Sequence, residues 1–345
     1  MRIAVIGAGA VGGLLAALAA RAGHEVLVTA RGEHAEAIAR AGLHVDGGWG
    51  EWVAAVKLVE SIPSPLSPSG DDGGRALDLR ALDLLILATK AHDSATALDA
   101  WSAHDGTPVL VLQNGLGGEQ AVRDALPHSP IAIGLALFAV SLTGPGRITV
   151  TGPNGLTLGG DPAAVAVAEP LLRAALPAEL VIADDIHGAQ FTKLLVNQVN
   201  ALPAITGLSV QQTVADPSLR AVVACGMVET VAVGDAVGVA WGRIGAVDAE
   251  AVARVRAGGT AAAAELAQHL AAGMGDVPNP ASMLQSIRRG RTTEVDAING
   301  AVVALGAQHD VPTPVNAALV ALVHDVERSG KHLAPVALAA SIPRL

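Results

Sequence analysis

Lys193, Asn197 and Asn200 interrupt an otherwise apolar stretch, "QFTKLLVNQVNALPAITG" at 190–207. On a helix turning about 100° per residue the three fall on one side of the cylinder. Leu194, Leu195, Val196 and Val199 spread over the rest. A segment this apolar packs inward and takes its amine and amides with it. Burying such groups without partners costs on the order of 1 kcal/mol or more each. Two arrangements answer that cost. Either the lysine snorkels to solvent while the amides pair with neighbouring backbone, or all three meet a polar ligand.

A second group with chemical meaning stands near the start. "GAGAVG" places Gly7, Ala8, Gly9, Ala10, Val11 and Gly12 after the β-branched run "RIAVI" and before a helix-like segment. In that context G-x-G-x-x-G binds a dinucleotide. The first glycine permits a tight turn, the second lets backbone approach the pyrophosphate, and the third lets the helix pack close to the sheet. Free N–H groups at the helix start favour phosphate. At the end of the next strand, NAD enzymes place an acid for the ribose. Here stand Thr29, Ala30 and Arg31, with no carboxylate before Glu33. A guanidinium suits a 2′-phosphate, so NADP(H) is the expected cofactor. Lys90 after "LILAT" and Asn114 after "VLVLQ" stand just past strand ends, where ligands bind in such sheets. From spacing alone, a solvated loop lysine and an Asn–Gly turn account for these two about as well.

The elements that must position these residues divide the chain. Strands are expected at 2–6, 25–30, around the turn "DGGWG", at 82–89 and at 108–114. "IAIGLALFAV", "RITVTG" and "GLTLGG" add strands at the far edge of the sheet, and "ELVIADD" ends this half. Residues 61–74, rich in Pro, Ser, Gly and Asp, predict a mobile surface loop. After about 185 helical periodicity takes over, at 186–202, 217–238, 247–273, 280–289, 294–309 and 314–328. Asp216-Pro217 and Asn279-Pro280 read as helix caps followed by a first-turn proline. The fold class is therefore an α/β Rossmann-type doubly wound sheet followed by an all-helical C-terminal domain. Residues 1–185 form the NADP-binding domain and 186–345 the helical substrate and catalytic domain.

Composition narrows the partners. Hydrophobic residues make up 51% and charged residues 16%, enough for a large core. The net charge of −10 argues against nucleic acid, which needs clustered Lys and Arg. The single cysteine, Cys225, allows no disulfide within the chain and fits a reducing compartment. The first residues superficially suggest a signal peptide, but their glycines have the use given above, and no other apolar run is long enough to span a bilayer. A soluble cytoplasmic protein is expected. The histidines form no metal-ligand pattern, so no metal is expected.

With these residues assembled, the chain resembles the ketopantoate reductase (2-dehydropantoate 2-reductase) family nearly end to end. The resemblance rests on "GAGAVGG", "TARG", "TKAHD", "QNGLG", "TKLLVN", "NPASMLQSIRRGRTTEVDAING" and "VPTPVN". It implies NADPH-dependent reduction of a 2-oxo acid in a cleft between a Rossmann domain and a helical domain, and a place in pantothenate and coenzyme A synthesis. It also implies roles for residues. Lys193 matches the catalytic lysine and Glu294 the substrate-contacting glutamate. Lys90 and Asn114 match residues beside the nicotinamide and substrate, and Asn279 and Ser282 those at the substrate's hydroxyl and carboxylate end. Asn197 matches a substrate-side asparagine. One position departs. Many members carry a second asparagine four residues after the first, whereas here 201 is Ala and the asparagine is Asn200.

The implied chemistry suits the residues. A hydride arriving at a ketone carbon leaves charge on oxygen, which needs a proton donor within about 3 Å. Desolvation lowers a lysine's pKa and eases donation, while Asn197 and Asn200 orient the amine and the substrate. In "TTEVD", Thr293 and Asp296 predict a capping box, leaving Glu294 to accept from a substrate hydroxyl. Asn279 and Ser282 also read as plain helix-start caps. The partner expected is a small 2-oxo acid, with neither nucleic acid nor membrane, and a homodimer is possible. Rivals are a paralogue reducing another 2-oxo acid and a non-catalytic NADP(H) sensor. A sensor has no use for Lys193 with Glu294.

Overall fold

The computed structural model describes residues 1–59 and 82–343, so the loop expected at 61–74 lies outside the described residues. The chain divides into two compact units. One is Met1–Gln113 with Gly117–Ile186; the other is Asn114–Leu116 with His187–Leu345. Among the described residues no helix is long and apolar enough to cross a membrane.

The first unit begins with β1 (Arg2–Ile6), α1 (Ala10–Arg21), β2 (Glu25–Val28) and α2 (Gly32–Ala41). Then come β3 (Leu43–Gly47), β4 (Trp52–Ala54), β5 (Lys57–Leu58), β6 (Leu84–Leu87), α3 (Ser94–Asp99), β7 (Val109–Val111) and α4 (Gly118–Ala125). It closes with β8 (Ile131–Ala136), β9 (Ala139–Gly144), β10 (Arg147–Gly152), β11 (Leu156–Gly160), α5 (Pro162–Ala175) and β12 (Leu180–Ile182). The main sheet has the order β12-β11-β8-β7-β6-β1-β2-β5, parallel throughout except where β11 meets β8. This is a doubly wound, Rossmann-type sheet. Its order reverses at β1, between β2 and β6, and the carboxyl end of a strand at such a switch point is where ligands bind.

Both faces of the sheet are covered, which fixes the composition of its strands. Ile3 and Val5 join one core, Ala4 and Ile6 the other. Leu84 and Ile86 divide from Leu85 and Leu87 in the same way. A strand buried on both faces has no solvent side to keep polar, so it reads as an unbroken apolar run.

A separate four-stranded sheet has the order β4-β3-β10-β9. This corrects the expectation that "RITVTG" extends the far edge of the main sheet. Arg147 to Val150 instead pair in parallel with His44 to Gly47. Helix α1 packs against strands of both sheets, and Gly12 to Ala19 are all buried. A helix covered on all sides is apolar on all sides, which accounts for its unbroken apolar sequence.

The second unit is helical: α6 (Ile186–Val196), α7 (Ala201–Thr206), α8 (Val210–Ala215), α9 (Pro217–Val237), α10 (Ala249–Ala272), α11 (Ala281–Arg288), α12 (Val295–Gln308), α13 (Pro314–Ser329) and α14 (Pro335–Ser341). Asp216 accepts from the Ser218 and Leu219 N–H groups, as an Asp–Pro helix start predicts. The helix expected at 247–273 is interrupted at Gly259, whose φ of 58° is not helical. Helices α8 and α14 were not expected. The first carries a full capping box, Ser209 with Gln212.

A buried polar chain ties this unit together. Glu229 on α9 is 5% exposed. Its two oxygens accept from the Val315 N–H, the Asn316 N–H and Asn316 Nδ2, each at 2.8 Å. The carboxylate thus caps α13 from another helix. Asn316 Oδ1 accepts from Asn299 Nδ2 on α12, which also donates to Gln198 Oε1, both at 2.9 Å. Glu229→Gln replaces one acceptor oxygen with a donor facing donors. Hydrogen bonds to charged groups contribute about 1.5–3 kcal/mol each, so the variant should lose about 3 kcal/mol of unfolding free energy. A urea titration measures this, and an unchanged midpoint would mean that the carboxylate does not hold α13.

Candidate active site

In the first unit the glycine turn is built from its backbone outward. Gly7 has a φ of 96°, and a Cβ there would lie 2.9 Å from Thr89 Cγ2. At Gly12 a Cβ would sit 2.2 Å from the Gly7 oxygen, so only glycine lets α1 start this close to the strand end. Gly9 differs: it is exposed, and nothing lies within 4 Å of where its Cβ would be. Ala8 is buried, while Ala10 and Val11 are half-buried. No side chain caps the start of α1 and no acid stands in its first turn. Helices leave their first N–H groups without intrahelical partners, so this end offers donors beside an open glycine.

Two residues the sequence did not single out hold that turn. Thr29 accepts the Gly7 N–H on its hydroxyl and the Ala8 N–H on its carbonyl, both at 2.8 Å. His34 on α2 contacts the Ala8 carbonyl. Thr29 had a signal, since it ends the strand beside the glycines. His34 had none. Arg31 is exposed at the start of α2, with no carboxylate nearer in sequence than Glu33. Lys90 is half-buried three residues past the end of β6. Buried Gln113 donates to the Thr89 carbonyl at 2.7 Å and to Ser94 Oγ at 2.6 Å, fixing the segment from which Lys90 projects.

The second unit gathers another set. Lys193 is only 8% exposed, near the end of α6. Burial draws its amine down to about 8, against the opposite pull of the Glu294 carboxylate. Glu294 stands just before α12 and accepts from Asn114 Nδ2 at 3.4 Å. Asn114 comes from the segment Asn114–Leu116, which is clamped here. Gln190 Nε2 donates to the Gly115 carbonyl at 3.1 Å, and the Leu116 N–H donates to the Ala297 carbonyl at 2.9 Å. Gly115 has a φ of 80°, and a Cβ there would fall 2.1 Å from the Ala297 oxygen. Only glycine lets the segment Asn114–Leu116 lie on α12.

The asparagines are arranged differently from the single helical face that was expected. Helix α6 ends at Val196, and Asn197–Asn200 form a turn of 3₁₀ helix before α7. On a 3₁₀ turn residues three apart eclipse, so Asn200 Nδ2 donates to Asn197 Oδ1 at 3.3 Å. The Asn197 amide is thereby oriented. Its buried Nδ2 has no partner among the described residues. Gln198 in the same turn is held by Asn299, so the helix that follows Glu294 is tied to the turn that carries Asn197. Ala201 is fully buried in the core of this unit.

Asn279 and Ser282 flank the start of α11, which packs on the 3₁₀ turn and on α7. Asn279 Oδ1 accepts the Ala281 N–H at 2.9 Å, and its Nδ2 lies 3.5 Å from Met274 Sδ. Its side chain thus has a local structural task, and Ser282 is half-buried in the first turn of α11. The capping box expected in "TTEVD" does not form. Thr293 Oγ1 accepts the Val295 N–H, but Asp296 turns to His324 Nε2 at 3.0 Å. The Thr293 N–H goes to Glu327 Oε1 at 2.6 Å. A carboxylate on α13 supplies what Asp296 was expected to supply, because the neighbouring helix brings it closer.

Comparison with known proteins identifies the family. The family model "Ketopantoate reductase PanE/ApbA" matches residues 3–162, and "Ketopantoate reductase PanE/ApbA C terminal" matches 185–327. A 2-dehydropantoate 2-reductase of Mesorhizobium japonicum is 33% identical, over 94% of this chain and 97% of its own. The structure of a PanE/ApbA family ketopantoate reductase from Ralstonia eutropha JMP134 superposes with a TM-score of 0.78 at 27% identity, covering 96% of this chain and 100% of the other. A D-mandelate dehydrogenase solved with NADH and anilino(oxo)acetate gives 0.77 at 26% identity, covering 95% and 99%. The first match spans the glycine turn, the second spans the helix of Lys193 and Glu294, and the chain belongs to the ketopantoate reductase family.

Proposed function

We propose that this protein reduces 2-dehydropantoate to pantoate with NADPH, a step of pantothenate and coenzyme A synthesis. The observation that carries the reading is Lys193, an amine nine-tenths buried with its pKa brought to about 8 beside the charge of Glu294. A purely structural lysine gains nothing from such a position. A proton donor gains a readily released proton.

The first unit fits the cofactor. Open Gly9 and the uncapped start of α1 suit a pyrophosphate. Arg31, exposed past β2 where no acid stands, suits a 2′-phosphate. When bound, NADPH supplies the hydride that the 2-oxo carbon receives. The residues of the second unit do the rest. Lys193 gives its proton to the oxygen that becomes the new hydroxyl, and with a pKa about 8 it regains one from water at neutral pH. Glu294 keeps that amine charged and accepts from a substrate hydroxyl. Asn197 Nδ2, with its oxygen already taken by Asn200, donates to a substrate oxygen. Ser282 and Asn279 border the same side through α11.

One observation favours a second reading, the reduction of a different 2-oxo acid by the same residues. Ala201 is a core residue at a position where the family resemblance implies an asparagine, and D-mandelate dehydrogenase shares the fold. A panel of 2-oxo acids followed by NADPH oxidation separates the two. The highest kcat/KM on a substrate other than 2-dehydropantoate would establish the second.

Lys193→Met keeps the apolar stem and removes the amine. It should cost on the order of 10²–10⁴ in turnover while NADPH titrates normally; near-normal turnover would eliminate Lys193 as the donor. In the wild type the rate of reduction should fall as pH rises through about 8, because the donor must be protonated. Glu294→Gln removes the charge that raises the amine's pKa. Its rate should therefore fall at lower pH than the wild type's, with a raised KM for the 2-oxo acid. A pH limb that stays in place would uncouple the two residues. Arg31→Ala should abolish at least a tenfold preference for NADPH over NADH, measured by fluorescence titration, and an unaltered preference would assign the 2′-phosphate elsewhere.

A further inference from the structure

His34 lies on α2, close after Arg31, and plays no part in the chemistry above. Both of its ring nitrogens are engaged. The Gly146 N–H stands 2.9 Å from Nδ1, and the Ala8 carbonyl oxygen 2.6 Å from Nε2. A backbone N–H can only donate, so Nδ1 is the acceptor and carries no proton. The ring proton is then on Nε2, where the Ala8 carbonyl accepts it. One neutral tautomer satisfies both ends.

The far end of this bridge is firmly placed. Gly146 turns between β9 and β10, and its carbonyl accepts the His44 N–H at 2.8 Å. A Cβ at Gly146 would lie 3.2 Å from Ala37 Cβ on α2, so hairpin and helix are in contact. The near end is the peptide between Ala8 and Gly9. A trans peptide is planar, with its carbonyl and N–H pointing in opposite directions. Holding the Ala8 oxygen therefore aims the Gly9 N–H the other way. Thr29 fixes the preceding N–H groups, those of Gly7 and Ala8, and does not touch this peptide plane. Gly9 is exposed with open space around it, and its N–H is the first donor at the start of α1.

We propose that His34 is a positioning residue for the dinucleotide, which orients the Ala8–Gly9 peptide so that the Gly9 N–H faces the pyrophosphate. The inference rests on the dinucleotide reading of the glycine turn. It makes a prediction that separates His34 from Arg31. The pyrophosphate is common to NADPH and NADH, so losing His34 weakens both alike. Losing Arg31 changes their ratio.

The test is fluorescence titration of the full-length protein with NADPH and with NADH, for the wild type and for His34→Ala, His34→Gln and His34→Asn. His34→Ala should weaken both nucleotides by roughly tenfold, leave their ratio unchanged, and leave kcat and the KM for the 2-oxo acid unchanged at saturating NADPH. Unchanged affinities would overturn the proposal. So would a loss confined to NADPH, which would show that the imidazole merely supports α2 and Arg31. His34→Gln carries an N–H donor of similar reach to Nε2 and should retain most of the affinity, while the shorter His34→Asn should not. Equal losses in these two would overturn the role of the Nε2 proton, and their comparison stands even where His34→Ala does not fold. A wild type that binds neither nucleotide would remove the dinucleotide reading and this inference with it.

Discussion

A charged amine held away from water needs an opposing charge and an apolar wall at the same time. In the second unit that requirement governs the placement of several elements. Leu194 and Leu195 turn the helix of Lys193 inward. Glu294 must then stand close enough to offset part of the desolvation, which brings the start of α12 toward Lys193 near the end of α6. Two ties secure that geometry at either end. Near Glu294 the segment Asn114–Leu116 is bonded to both helices, with Gly115 permitting the contact. Farther along α12, Asn299 joins Gln198 to Asn316, and Asn316 joins the chain to Glu229. A buried network of this kind, in which only Asn299 Oδ1 lacks a partner among the described residues, allows little movement, since each shift leaves a further polar group unpaired in a medium where that is costly.

The first unit solves a different problem. Nothing in its glycine turn is charged, and the donors at the start of α1 are backbone N–H groups alone. Precision must then come from the groups that hold each peptide plane. Thr29 holds the entry to the turn and His34 its centre, from two separate segments of chain. The second sheet contributes through Gly146. The same sheet covers α1, so one layer both buries the helix and steadies the turn in front of it.

What the sequence revealed follows from the range of the forces involved. Strands buried on both faces are apolar along their whole length, so β1, β6 and β7 were legible as runs. Residues that must be glycine for steric reasons, such as Gly7 and Gly12, were legible from their context. Sheet membership was not, because β10 bears no mark of its parallel pairing with β3 across roughly a hundred residues of chain. The six-residue helix α8 was too short for periodicity, although its Ser209 and Gln212 spell a capping box. At the site, Lys193 announced itself by its apolar neighbours. The pairing of Asn200 with Asn197 depends on a change from α to 3₁₀ winding that periodicity does not encode. Asp296 and His34 were misjudged or missed because their partners, His324, Ala8 and Gly146, come from elsewhere in the chain.

The segment Asn114–Leu116 carries a consequence for how such a chain can be rearranged in evolution or by recombination. It lies within the first stretch of sequence, yet it packs with the second unit. A crossover near residue 186 would exchange the helices and leave this segment behind, with its bonds to Gln190 and Ala297 depending on whichever donor supplied the new partner. Chimaeras joined there inherit a mismatch at Asn114, beside Glu294, even when both parental halves fold. Exchange of the helical unit with its function intact therefore calls for the three residues to travel with it, as a short insert far from the main junction. The smallest transferable piece of this protein is discontinuous in sequence.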